Sequence, residues 1–210
     1  MANRALIAKI LRKKAVLLDL DNTLYSYRPC HRAGLANARA CFCESVRTVS
    51  QRAFEISYER AREAVKKHTK RQAASHSRLL YFQEMLRRER PFTAPQEVIN
   101  MEQAYWQAYL KAMKLRPWVM PLLKQLHKAR IRTAIVTNMT LEWQLKKIDR
   151  LGIAPWIDCV VSSEEAGVEK PDPRIFRLAL QKLGCKAGDA VGLGDDPASD
   201  RSTVVKFYRI

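Results

Sequence analysis

The sequence lacks the features that mark membrane and secreted proteins. No apolar run approaches the roughly 20 residues that a membrane-spanning helix needs. The stretch from Met1 to Lys14 has no acidic residue, but it also lacks the apolar region and the small-residue cleavage site of a secretory signal. We therefore expect a cytoplasmic protein that has no membrane partner.

Cysteine and histidine provide no framework for a disulfide scaffold or a zinc site. The five cysteines are odd in number, and their spacing matches no zinc-binding pattern. The four histidines show neither ligand spacing nor the spacing of a catalytic triad. We interpret the cysteines as reduced thiols, in agreement with a cytoplasmic location.

Acidic residues are scarce beside basic ones, and the formal net charge is +17. Such a charge predicts attraction to anions, small or polymeric. No nucleic-acid-binding motif accompanies it, so we favour a solvated basic surface over a nucleic-acid partner. The sequence leaves the oligomeric state open.

Aspartate is absent between Asp21 and Asp149, although the chain holds nine aspartates. Several of the others follow short apolar runs, such as Ala190–Leu193. Such runs are typical of strands buried on both faces of a parallel sheet. The scarce carboxylates are therefore expected at the carboxyl ends of strands, where open α/β sheets bind ligands.

The chain order predicts a Rossmann-like parallel sheet interrupted by a helical insertion. Strands are predicted at 15–19, 132–138, 157–162 and 190–193, with helices at 118–129, 141–151 and 172–183 between them. Residues 30–112 are almost wholly helical in pattern and suggest about four helices. We expect a discontinuous core of residues 1–26 and 113–210, and a helical domain of residues 27–112. The aromatic side chains of its last helix are predicted to pack between helices or to line a substrate pocket.

Polar residues at the predicted strand ends and in one loop form one candidate site. They are Asp19, Asp21, Thr23, Thr137, Asn138, Lys170, Asp195, Asp196 and Asp200. One carboxylate in such a set can attack a phosphoryl group, and a second can transfer protons. A hard cation such as Mg²⁺, held by carboxylates and phosphate oxygens, would neutralise charge together with the lysine.

Four ordered motifs give the chain a resemblance to the haloacid dehalogenase-like (HAD) hydrolases. Asp19-Leu-Asp-Asn-Thr23 resembles motif one, Thr137 resembles motif two, and Lys170 before Pro-Asp-Pro resembles motif three. Gly194-Asp195-Asp196 with Asp200 resembles motif four. The resemblance covers residues 14 to about 200. The chain resembles the phosphatase type that has a helical type-one cap, similar to subfamily IA. The dehalogenases of the family lack the second aspartate of motif one, which is Asp21 here.

The resemblance implies a role for each motif residue in a Mg²⁺-dependent phosphomonoester hydrolase. Asp19 would be the phosphorylated nucleophile, Asp21 the acid and base, and Lys170 a catalytic and phosphate-binding cation. Thr137 and Asn138 would bind phosphoryl oxygens. The metal would be held by Asp19, Asp195 and the backbone carbonyl of Asp21. Three further residues would act in the outer shell, namely Thr23, Asp196 and Asp200.

Several residues have simpler structural interpretations. Thr23 and Asp200 are also suited to capping a turn and a helix. A lone Lys170 would be a solvated loop lysine, but its neighbours favour a place in the site. Asp172 before Pro173 is predicted to be a helix N-cap. The substrate is expected to be a small phosphorylated metabolite, a sugar phosphate or a nucleotide. The alternative functions are a phosphomutase with the same nucleophile and an inactive, truncated relative that acts as a basic binding protein.

The segment after Asp200 departs from the family pattern. Family members usually continue with a helix, a strand and a closing helix, whereas here only residues 201–210 follow. A short strand over Thr203–Tyr208 is predicted for this stretch. We expect a C-terminally shortened core whose sheet edge near motif four is exposed.

Overall fold

The computed structural model describes residues 4–92, 94–200 and 202–209. The start of the basic N-terminal stretch and two residues of the C-terminal segment, 201 and 210, lie outside the described residues. The chain divides into two compact units: unit 1 is Met1–Ser26 with Lys114–Ile210, and unit 2 is Tyr27–Met113. These bounds lie within one residue of the division expected from the sequence pattern.

Unit 1 is built on a parallel sheet, and the described residues contribute five strands in the order β3-β2-β1-β4-β5. The strands are β1 Ala15–Leu18, β2 Arg132–Thr137, β3 Cys159–Ser162, β4 Ala190–Gly194 and β5 Phe207–Arg209. All residues of β1 and β4 are buried, as expected for strands whose two faces are covered. The predicted α/β class with a parallel sheet is confirmed.

The register brings three strand ends together. Leu18 of β1 pairs with Ile135 of β2 on one side and with Leu193 of β4 on the other. Beyond Leu18, the backbone N–H of Asp19 still donates to the carbonyl of Leu193 at 2.9 Å. The residues that follow β1, β2 and β4 therefore emerge side by side at one edge of the sheet.

One helix of unit 1 precedes β1, and the others lie in the chain between successive strands. They are α1 Arg4–Ile10, α6 Val119–Lys128, α7 Leu141–Arg150, α8 Ser163–Ala166 and α9 Pro173–Lys182. Helix α9 buries Ile175 and Phe176 in one apolar cluster with Leu17 and Val136 of the sheet. Asp172 is its N-cap, as predicted, and accepts the backbone N–H of Arg174 at 2.9 Å.

Strand β5 begins later than the sequence pattern indicates. The prediction of a strand from Thr203 is wrong in its start, because the Ser202 hydroxyl accepts the N–H groups of Val204 and Val205 and holds this stretch in a bend. Strand β5 pairs with β4, and Phe207 lies opposite Gly192. Similarly, β3 begins at Cys159 and not at residue 157.

Unit 2 contains four α-helices among its described residues, the number expected. They are α2 Tyr27–Ser45, α3 Gln51–Thr69, α4 Arg78–Glu89 and α5 Pro95–Ala112. Ser50 and Ser77 begin α3 and α4 by accepting backbone N–H groups of the first turn. Within the described part of the chain, no helix is both long enough and apolar enough to cross a membrane.

The aromatic side chains of α5 pack inside unit 2. Tyr105, Trp106 and Tyr109 are each at most 1 % exposed and contact one another edge to face or tilted. Close packing of α2 on α5 depends on Gly34, because a Cβ atom there would lie 2.7 Å from the Tyr105 ring and 2.9 Å from its carbonyl oxygen. Of the two predicted arrangements, the structure shows the one in which these aromatic side chains pack between helices.

Candidate active site

The end of β1 places Asp19 and Thr23 in one buried hydrogen-bonded turn. The Thr23 hydroxyl lies 2.6 Å from Asp19 Oδ2 and 2.9 Å from Asp195 Oδ1, and it accepts the backbone N–H of Asp195 at 3.1 Å. Between them Asn22 has a φ of 64°, a left-handed conformation that asparagine tolerates. Its side chain donates to Asp195 Oδ2 at 2.5 Å. Thr23 therefore joins the ends of β1 and β4, a role beyond capping its own turn.

Lys170 joins two of the predicted carboxylates. Its ammonium lies 2.6 Å from Asp19 Oδ1 and 2.7 Å from Asp200 Oδ1, and the residue is only 6 % exposed. The solvated-loop interpretation of Lys170 is therefore wrong. Asn138 holds the Lys170 backbone on both sides, since its Oδ1 accepts the N–H at 2.7 Å and its Nδ2 donates to the carbonyl at 3.3 Å. The role of Asn138 in phosphate binding stays a prediction.

Asp200 reaches the site because residue 194 has no side chain. A Cβ atom at Gly194 would lie 1.9 Å from Asp200 Oδ2, so only glycine admits this carboxylate. Asp196 instead accepts the N–H of Ala198 and the hydroxyl of Ser199 in its own loop. Of the two proposed outer-shell aspartates, the structure brings Asp200 into contact with Lys170 and leaves Asp196 exposed.

Three carboxylates form a cluster that suits a hard cation. Oxygen atoms of Asp19, Asp195 and Asp200 all lie within 4.8 Å of one another. An all-oxygen set of this kind matches the preference of Mg²⁺, which binds through a few carboxylates and retains water or phosphate ligands. The residues present therefore fit the expected metal. Asp21 is predicted to contribute only its backbone carbonyl, and its side chain contacts Lys147 instead of this cluster.

The surroundings of Asp19 oppose its ionisation. Burial raises the pKa of Asp19 to about 6, and the Asp200 carboxylate adds to the rise, although Lys170 and Thr23 act in the opposite direction. A cation bound by this cluster would favour the ionised form that a nucleophile needs.

Asp21 occupies a separate, positively charged setting. Its Oδ1 lies 2.7 Å from the Lys147 ammonium and accepts the Tyr25 hydroxyl, and its Oδ2 accepts Gln144 Nε2 at 2.9 Å. Burial alone would raise the pKa of Asp21, but Lys147 and the three hydrogen bonds outweigh it and lower the pKa to about 2. The two acids of motif one are thus held by two different lysines.

Sequence reasoning missed these partners of Asp21. Tyr25 lies four residues beyond Asp21, and Gln144 and Lys147 belong to α7. Gln144 also donates to the Thr137 hydroxyl at 2.6 Å. One signal was available, because Gln144, Lys147, Ile148 and Leu151 share the spacing of a buried helix face.

This fold and site define the class of protein. The sequence pattern of the family described as "haloacid dehalogenase-like hydrolase" matches residues 13–203, and the chain belongs to that family. The predicted resemblance is therefore confirmed.

Two relatives refine the class. The chain is 41% identical over 186 residues to a ribulose-1,5-bisphosphate 5-phosphatase of Halopiger xanaduensis, covering 89% of this chain and 78% of that protein. It is 35% identical over 182 residues to a glyceraldehyde 3-phosphate phosphatase of Methanopyrus kandleri, covering 87% and 75%. The predicted phosphatase type of enzyme is confirmed by these relatives.

A solved structure supports the fold alone. The 2-haloacid dehalogenase from Pseudomonas syringae pv. Tomato DC3000 superposes with a TM-score of 0.69 at 23% identity, covering 89% of this chain and 80% of that one. Because dehalogenases and phosphatases share this architecture, activity has to be argued from the side chains at the site.

Proposed function

We propose that the protein is a Mg²⁺-dependent phosphomonoesterase that acts through an aspartyl-phosphate intermediate on a small sugar phosphate. The observation that carries the proposal is the division of the motif-one acids. Asp19 lies in the carboxylate cluster with Lys170, and Asp21 is held apart by Lys147. This division supports a role for one carboxylate as the nucleophile and for the other in proton transfer.

The first step forms a bond from an Asp19 oxygen to phosphorus and breaks the bond to the leaving oxygen. The proton that this oxygen takes up comes from the Asp21 carboxyl group, and the products are the alcohol and phosphorylated Asp19. The negative charge of a bound phosphoryl group opposes ionisation of Asp21 and so favours its proton-carrying form. Lys170 would balance charge on the transferred group, and the Thr137 hydroxyl would donate to one of its oxygens.

The second step regenerates the enzyme. Water attacks phosphorus, its proton passes to the Asp21 carboxylate, and Asp19 leaves as a carboxylate with orthophosphate as product. The ionised Asp21 that the ion pair with Lys147 favours is the form required here. A Mg²⁺ ion held by Asp19, Asp195 and the backbone carbonyl of Asp21, with Asp200 beside them, would neutralise phosphoryl charge in both steps.

The substrate class is proposed from the relatives and from charge. The two relatives described above are named for ribulose 1,5-bisphosphate and glyceraldehyde 3-phosphate. A net charge of +17 also favours strongly anionic substrates. We further propose that Tyr27–Met113 serves as the family's helical cap and selects the substrate. Its insertion in the chain between β1 and β2 supports this proposal.

The test is phosphate release from 4-nitrophenyl phosphate, ribulose 1,5-bisphosphate, glyceraldehyde 3-phosphate and a set of nucleotides, with Mg²⁺ or with a chelator. We expect Mg²⁺-dependent release, with a sugar phosphate preferred, and none from Asp19→Asn. Asp149→Asn, which changes an exposed aspartate, is the matched control. Full activity of Asp19→Asn would refute the mechanism.

The alternatives remain separable by experiment. A phosphomutase would transfer the phosphoryl group to a second hydroxyl of the sugar, and product analysis by ³¹P NMR would show an isomeric phosphate in place of orthophosphate. A basic binding protein would release no phosphate and would bind nucleic acid in a salt-dependent manner.

A further inference from the structure

Helix α7 carries two polar side chains at positions where an amphipathic helix normally buries apolar ones. Gln144 is 0 % exposed and Lys147 is 1 % exposed, and they lie three residues apart on the face that also buries Ile148. Burying an amide and an ammonium costs free energy unless both are hydrogen-bonded. Two apolar residues would pack here without that cost, so the reason for this pair lies in what it binds.

Gln144 and Lys147 hold different oxygens of the same carboxylate. Gln144 Nε2 is 2.9 Å from Asp21 Oδ2, and Lys147 Nζ is 2.7 Å from Asp21 Oδ1. A carboxylate that is bound on only one oxygen can still rotate about its Cβ–Cγ bond. With both oxygens bound from one rigid helix, its plane is fixed.

The amide of Gln144 makes a second contact that links Asp21 to motif two. Its Nε2 also lies 2.6 Å from Thr137 Oγ1, so each amide hydrogen has an acceptor. The opposite orientation of the amide would turn Oε1 toward the Asp21 carboxylate, and two acceptors repel each other. Within the described part of the chain, the buried Oε1 has no hydrogen-bond partner, so the site tolerates one unsatisfied oxygen to make two donor contacts.

This contact also fixes the direction of the Thr137 hydroxyl. Because its oxygen accepts a hydrogen bond from Gln144, its own hydrogen is directed toward another acceptor. A phosphoryl group offers three acceptor oxygens. The hydroxyl is thus prepared as a donor before a phosphoryl group arrives, and no reorientation is needed during the reaction.

We propose that Gln144 is a positioning residue for phosphoryl transfer, whose single amide fixes both the plane of the Asp21 carboxylate and the donor direction of the Thr137 hydroxyl. The inference rests on the proposed function. It assigns to α7, which carries none of the four motifs, a part in aligning two of them.

The test is Gln144→Met, which keeps the length of the side chain and removes both hydrogen bonds. Because kcat/KM reports the steps up to loss of the alcohol, it is compared for 4-nitrophenyl phosphate and an alkyl phosphate. We expect a loss of roughly tenfold to a hundredfold for the alkyl phosphate, within the range of a misplaced acid. The loss for 4-nitrophenyl phosphate will be smaller, because its leaving group departs without a proton, and KM will change little.

A double-mutant cycle with Thr137→Val separates the two contacts. In the background of Thr137→Val, Gln144→Met should cost little more with 4-nitrophenyl phosphate, since the hydroxyl that it orients is gone. The additional loss with the alkyl phosphate should persist. Leu145→Met, at a neighbouring position that is 46 % exposed, is the matched control and should have the kinetics of the parent. Thermal unfolding of each variant checks the fold.

Gln144→Glu provides a second variant that retains shape and polarity. It places an acceptor opposite the Asp21 carboxylate, and we expect a loss at least as large as that of the Met variant. Kinetics of Gln144→Met within twofold of the parent on both substrates would overturn this inference alone. Equal losses on both substrates that simply add to those of Thr137→Val would overturn it too, because they would indicate a structural role. A parent enzyme that releases no phosphate would instead refute the proposed function.

Discussion

Replacement of Asp19, the proposed nucleophile, should stabilise the metal-free protein. Burial raises the pKa of Asp19 to about 6 from its ordinary value of 3.8. The folded state therefore binds this proton more tightly than the unfolded state, and the contribution of Asp19 to the stability of the parent falls as the pH rises from about 4 to about 6. At ~1.36 kcal/mol for each pH unit, the parent at pH 7 has lost about 3 kcal/mol that Asp19→Asn would retain.

The amide can form hydrogen bonds to two of the groups that contact the Asp19 carboxylate. The Asn Oδ1 would replace the carboxylate oxygen that lies 2.6 Å from Lys170, and Lys170 would keep Asp200 as its charged partner. The Asn Nδ2 would donate to the Thr23 hydroxyl, which would then donate to Asp195 at its present distance of 2.9 Å. The gain should therefore appear as stability and should not be consumed by rearrangement.

The free energy of unfolding is measured by urea titration in the presence of a chelator between pH 4 and 7. Hydrogen exchange of the β1 amides, measured under the same conditions without urea, reports on unit 1 directly. Asp149→Asn is again the control. We expect the free energy of unfolding of Asp19→Asn to exceed that of the parent by up to about 3 kcal/mol at pH 7, and by much less at pH 4. A variant that is less stable than the parent at pH 7, or a difference that does not change with pH, would contradict the reasoning.

Two glycine substitutions test the close approaches in the two units. Gly194→Ala places a methyl group 1.9 Å from Asp200 Oδ2; we expect this carboxylate to leave Lys170, with a loss of roughly 1–3 kcal/mol by thermal unfolding and a large loss of phosphatase activity. Gly34→Ala places a methyl group 2.7 Å from the Tyr105 ring, so exchange protection should fall in α2 and α5 while the β1 amides keep theirs. Equal loss of protection in β1 would show that the two units unfold together.

The residues at the strand ends are predictable because each follows a short apolar run. Asp19 comes after Ala15–Leu18, and Asp195 comes after the apolar part of β4. Parallel strands that pair in register must end at the same edge, so proximity follows from topology. The prediction of Lys170 beside them came from the family resemblance of its neighbours, since a loop lysine by itself has no preferred location.

Other parts of the site depend on contacts that a sequence does not display. Sequence reasoning left Asp200 as either a helix cap or a site residue, and its place beside Lys170 depends on the space left by Gly194. The partners of Asp21 depend on where α7 crosses the loop after β1. Only the polar side chains of Gln144 and Lys147 on an otherwise buried face indicated such a contact.

The hydrogen bonds at the base of the insertion bear on how the chain folds. Tyr25 and Leu115 form an antiparallel bridge, and the N–H of Arg116 donates to the carbonyl of Leu24 at 2.9 Å. Hydrogen bonds therefore join the segment where the chain leaves unit 1 to the segment where it returns. In the chain, all of unit 2 lies between β1 and its partner β2, so pairing of these strands closes a long loop. The entropy lost in closing this loop opposes formation of the junction. Helices that form from local contacts inside the loop shorten its effective length, so early folding of unit 2 would speed assembly of the sheet.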